Sequence, residues 1–131
     1  TFVKNKNKYI ELTPKGSKYL SSKTLKELTI DEREKEKWDK KWRIVIFDIP
    51  EKLHFERNIL RRKLIDFGFY KLQKSVYAFP YNCTDEIGFI CERLNIKKYV
   101  LVMISELIQN EEELLAHFIE RKIIPLSSIN I

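Results

Sequence analysis

Asp48 is the residue placed for chemistry. It sits near the end of the run Arg43–Ile49 (RIVIFDI), whose β-branched and aromatic residues predict a buried strand stopped by Pro50. A carboxylate at the C-terminal end of a strand stands at the margin of a sheet, where a symmetry-related copy can bring a second one. Two such carboxylates would hold Mg²⁺ or Mn²⁺ and activate water for phosphodiester cleavage. The competing role is structural: Asp48 caps the turn into the next helix or supplies a hydrogen bond to the fold.

A basic set surrounds this position in sequence. Arg57, Arg61, Arg62, Lys63, Lys71 and Lys74 span one predicted helix and the strand after it, so several can follow a phosphate backbone. A solvated helix face carries the same residues. Net charge is +6 and the isoelectric point near 9.3, and the excess is uneven: +5 over residues 1–42, +4 over 43–80 and −3 over 81–131. The polyanion-facing surface is therefore expected from the first two blocks. Tyr70, Tyr77 and Phe79 offer stacking surfaces, although aromatic residues in strands belong first to a core. His54 and His117 have no second ligand at metal spacing, and Cys83 and Cys91, eight positions apart, fit no zinc pattern. Both cysteines are expected to be reduced and structural.

These residues need a frame. Leu53, Leu60, Leu64 and Phe67 recur at helical spacing over 53–67, and Gly68 ends that helix. Residues 69–72 and 75–79 read as two short strand pieces, forming a hairpin or one long bent strand. Ile87, Ile90, Cys91 and Leu94 mark a second helix from Thr84, Tyr99–Ile104 a further strand, and Asn110 with three glutamates a third helix that Pro125 halts. Upstream, Lys8–Leu12 reads as a strand, Thr13-Pro14 as a helix start, and the alternating charges from Asp31 to Lys41 as a solvated connecting helix. The economical solution is α+β: a ferredoxin-like βαββαβ domain with an additional C-terminal helix and an N-terminal strand-helix-helix appendage. Domain bounds fall at 1–41 and 42–131. Open sheet edges at 99–104, with residues 126–131 able to cover one, predict a homodimer.

The run WRIVIFDIPEK from Trp42, followed by LRRKLIDFGFYKLQKSVY from Leu60, resembles the central domain of phenylacetate-degradation (PaaX-type) transcriptional repressors. That domain is itself similar to CRISPR-associated protein two, the small dimeric endonuclease of the spacer-integration complex. The shared features are Asp48, a basic helix closed by Gly68, and the strand Gln73–Tyr77. KYIELTPKG at Lys8–Gly16 resembles the last wing strand and following helix of a winged-helix domain, as found upstream in the repressors.

No apolar run approaches the roughly 20 residues needed to span a bilayer and TFVKNKNKY lacks a secretory apolar stretch, so a cytoplasmic chain with no membrane partner is expected. The resemblance implies a nucleic-acid-binding, dimerising domain of a transcriptional regulator, needing no cofactor to bind DNA or RNA. Its alternative is a Mg- or Mn-dependent endonuclease, or a DNA clamp, working with the CRISPR integrase subunit in antiviral defence. There Asp48 would be the catalytic and metal-binding residue shared across the dimer. Ser75 would join the basic set as a backbone or phosphate contact. Pro50-Glu51 departs from the more polar loop of the nucleases, which favours the regulator.

Overall fold

The computed structural model describes residues 25, 27–29, 38–106, 108–109 and 111–128. The predicted strand at 8–12, the helix starting at Thr13 and the charged stretch 31–37 lie outside them. Among the described residues no helix is long and apolar enough to cross a membrane.

Four strands form one antiparallel sheet: β1 (Trp42–Phe47), β2 (Tyr70–Gln73), β3 (Val76–Phe79) and β4 (Val100–Ser105), in the order β2-β3-β1-β4. Helices α1 (His54–Phe67) and α2 (Thr84–Leu94) make the two crossovers, and α3 (Glu111–Glu120) follows β4. This is the ferredoxin-like βαββαβ arrangement with its additional C-terminal helix. Of the two readings of residues 69–79, the hairpin is the one formed, with its turn at Lys74-Ser75 and a register shift between Lys71 and Gln73.

The pairing register separates the two faces of the sheet. Val45 stands opposite Tyr77 and Val102, and Phe47 opposite Val100; all five are buried. Helix α1 covers this face with Leu60 and Leu64, and α2 contributes Ile87, Ile90 and Cys91 to the same core. The other face carries Ile44 opposite Ala78 and Met103, and Ile46 opposite Val76 and Leu101. Strand β4 shows the contrast most sharply, since Val102 is fully buried while Leu101 and Met103 on either side are 40% and 45% exposed.

One end of that second face is closed by α3. Its Phe118 ring lies 5.7 Å from Trp42 and 5.9 Å from Phe79, while Trp38 sits 4.8 Å from Trp42 on another side. Glu111 accepts the Trp42 indole N–H at 2.9 Å, and Glu113 accepts the Tyr70 hydroxyl at 3.2 Å. The expectation of a solvated helix running to Lys41 therefore fails at its end: Trp38 is buried and residues 38–41 are not helical. Asp39 turns back to grip Arg43 through two hydrogen bonds of 2.8 and 2.7 Å, and Arg43 also donates to the carbonyls of Lys41 and Pro80. Burial alone would raise the Asp39 carboxyl, but the Arg43 fork and the Lys41 amide outweigh it and hold it below the ordinary carboxylate range.

The three α-helices among the described residues end in the same left-handed turn. Gly68, Asn95 and Lys122 have φ of 95°, 56° and 59°, and the next residue's N–H returns five positions to Leu64, Cys91 and Phe118 respectively. Gly68 suits this conformation, and a Cβ there would also come 2.6 Å from Ile123 Cδ1. Lys122 carries a side-chain penalty for the same turn. Lys122→Gly should thus raise unfolding free energy by about 0.5–1 kcal/mol, read as a higher urea midpoint at unchanged m-value.

Candidate nucleic-acid interface

The C-terminal end of β1 is where the predicted site residues meet. Asp48 lies just beyond the strand, exposed, with its backbone N–H donated to the Tyr99 carbonyl at 2.9 Å. One residue earlier, the Phe47 N–H is donated to the Ser75 carbonyl at 3.1 Å. The hairpin turn with Lys74 and Ser75, the start of β4 and the loop into α1 are thereby tied to one end of the sheet.

Four of the expected contacts reach this end. Arg61 lies with its guanidinium carbon 5.9 Å from the centre of the Phe47 ring, half-buried, its Nε buried without a hydrogen-bond partner. Arg57, one turn earlier, pairs with Glu51 at 3.0 Å and has an Nε in the same condition. That pairing, reinforced by the charges of His54 and Lys74, holds the Glu51 carboxyl below its ordinary range. Lys74 and Ser75 complete the group, Ser75 through its main chain.

The other three lie elsewhere. Lys63 donates to the Leu28 carbonyl at 3.4 Å, tying the segment before the domain to α1. Arg62 lines a groove on the outward side of α1 with Leu25, Phe55 and Ile59. Lys71 is exposed on the edge strand β2.

Charge counting by sequence block misses part of the basic end. Lys97 and Lys98 belong to the net-acidic block 81–131, yet the turn that carries them shares a cleft with Lys52 beside the start of α1. Five acids gather at the opposite end of the domain, Asp85 and Glu86 in the first turn of α2 and Glu111, Glu112 and Glu113 in that of α3, against Asp48, Glu51 and Glu56 at the basic end. The domain is thus polarised along its strands. The topology contained the missing signal, because a βαββαβ sheet sets the α2–β4 turn beside the β1–α1 turn.

As a metal centre this end does not fit on one copy's residues. Asp48 supplies a single carboxylate and Glu51 is engaged by Arg57, while among the described residues no three His, Cys, Asp or Glu side chains gather to hold an ion. Cys83 and Cys91 are buried free thiols; burial pushes Cys91 up to about 12 and raises Cys83 as well, which keeps both protonated and unreactive. Tyr77 and Phe79 are core residues, with Tyr77 stacked on Phe47. His117 Nε2 donates to the Gly68 carbonyl at 3.2 Å, which fixes the proton on Nε2 because a carbonyl only accepts.

A family model described as the PaaX protein central Cas2-like domain matches residues 35–116, more than half of the chain. No curated protein and no solved structure matches it.

Proposed function

We propose, since the chain belongs to the PaaX family through its central Cas2-like domain, that it is the self-pairing, nucleic-acid-contacting domain of a PaaX-like transcriptional regulator. The carrying observation is the polarised sheet: one open apolar face and one basic end. Leu101 and Met103 stand exposed on that face beside half-buried Ile46 and Val76, a surface that gains by meeting its own copy. Strand β4 also forms a sheet edge of six residues without charge or proline, whereas the opposite edge, β2, is protected by Lys71 and a bulge.

Arg57, Arg61 and Lys74, with the Ser75 main chain, then supply phosphate contacts at the basic end. Their role is positional, because phosphate contacts carry no base sequence. The guanidinium's terminal nitrogens can donate charge-assisted hydrogen bonds to phosphate oxygens, the strong kind.

Affinity for duplex DNA should fall steeply with salt, by about 0.9 log units per log unit of salt for each phosphate neutralised. Arg57→Ala with Arg61→Ala should flatten that slope by about one to two units, and Arg62→Ala measured alone reports whether the footprint extends to the outward side of α1. An unchanged slope in the double variant would remove these two arginines from the interface.

A further inference from the structure

Between the start of α1 and the turn after α2 lies a cleft of about 480 Å³, a size that takes small ligands. Lys52 enters it from one side, Lys97 and Lys98 from the other. Glu56 also lines the cleft, yet among the described residues no carboxylate lies within ion-pair distance of these three ammonium groups. Proximity to the C-terminus of α2 does not account for them. The turn's Asn95 and Ile96 N–H groups already return to the carbonyls of Glu92 and Cys91, and Lys52 comes from a different element. Three lysines lining one concavity, with no carboxylate paired to them, favour an anion there.

The rest of the wall is not basic. Tyr99 is half-buried, with Lys98 Nζ 5.3 Å from its ring centre, and Leu53 and Leu94 complete an apolar side. Asn95 adds an amide that both donates and accepts. The complementary ligand has an anionic group at one end and a flat, largely apolar body with polar edges at the other. We propose that this cleft binds a nucleotide, its phosphate held by Lys52, Lys97 and Lys98 and its base laid along Tyr99, Leu53 and Leu94. This site is separate from the duplex contact above: its cations sit on other elements and none belongs to the Arg57–Arg61 group. A free nucleotide and an unpaired nucleotide at the end of a strand present the same chemistry.

The test is titration of the full chain with adenosine 5′-monophosphate and, separately, with a 5′-phosphorylated hexathymidylate, following the backbone amides of Asn95, Lys98 and Tyr99 by NMR. Saturable shifts with the monophosphate identify a free nucleotide as ligand, and saturation with the oligonucleotide alone identifies a strand end. Adenosine, lacking the phosphate, should bind on the order of tenfold more weakly or worse. Lys52→Gln and the pair Lys97→Gln with Lys98→Gln should each weaken binding on the order of tenfold while the remaining amide spectrum stays in place. Leu126→Ala, at an exposed side chain outside both sites, should leave monophosphate binding unchanged, and the monophosphate needs none of the arginines assigned to the duplex, so loss of the duplex reading would not touch this result. The proposal is overturned if neither probe saturates at millimolar concentration, if adenosine binds as well as its monophosphate, or if both lysine variants bind like wild type.

Discussion

Met103→Glu should convert a homodimer of about twice 15.8 kDa into a monomer without unfolding the chain, as read by sedimentation equilibrium at micromolar concentration. In a single copy the Met103 side chain is 45% exposed, so a carboxylate there keeps its water. Against a second copy it would be buried with no cation on its face: the neighbours set by the register are Ile44, Ile46, Val76 and Leu101. An uncompensated buried charge costs about 3 kcal/mol or more, on the order of a hundredfold in dimer affinity, and a two-fold axis imposes it twice. Lys71→Glu, on the opposite sheet edge, is the matched control and should leave the dimer intact. A wild-type monomer at high concentration, or a Met103→Glu dimer of undiminished affinity, would remove the sheet face as the pairing surface.

The same face shows how far the sequence could be read. Strand β4, VLVMI, is apolar at every position, and such a run reads as a strand buried on both sides. Only its Val100 and Val102 side is buried within one copy; the other side became visible as open once the helices were placed. Most periodic elements were legible: α1 and α2 lie where their apolar spacing and end signals set them, and β1 ends before Pro50, whereas α3 stops at Glu120 in the left-handed turn of Lys122, short of the Pro125 expected to halt it. Contacts between residues distant in sequence were not. Trp38 sits in a charged stretch and looks solvated until its ring is seen against that of Trp42, in the core. The pairing of Arg43 with Asp39 was hidden because Arg43 reads equally well as the polar head of a strand.

Candidate site residues divide along the same line. Arg57, Arg61, Lys74 and Ser75 come to one end of the sheet because α1 and the hairpin follow one another, so sequence neighbours remain spatial neighbours. Lys52, Lys97 and Lys98 meet across more than forty residues of chain, a juxtaposition that the topology creates and no local charge count contains. Their placement also gives the domain its long axis of charge, with the acids of α2 and α3 at the far end. Were a polyanion the partner, such a dipole would orient the basic end toward it before contact, an effect that weakens as the screening length shortens with salt.

Phe118→Ala should cost about 4 kcal/mol of unfolding free energy, enough to put a marginal domain close to its midpoint at ambient temperature. The family match ends at residue 116, which invites the view that the last turn of α3 is an accessory to the domain. Packing argues otherwise. Phe118 is fully buried, with its ring against Trp42 and edge-on to Phe79, and Ile124 beyond it is buried as well. The Phe118 carbonyl also accepts the Ile123 N–H at 2.8 Å in the turn that closes the helix. Truncation to alanine leaves a cavity between α3 and the end of the sheet that the rigid rings of Trp42 and Phe79 do not fill. Leu126→Ala, at a side chain 67% exposed, should change stability by less than about 0.5 kcal/mol and so controls for general disturbance of this region. Urea unfolding followed by tryptophan fluorescence suits the comparison, because Trp42 and Trp38 report directly on the cluster. A Phe118→Ala loss below about 1 kcal/mol would mean that α3 merely rests on the sheet and that the folding unit ends with β4.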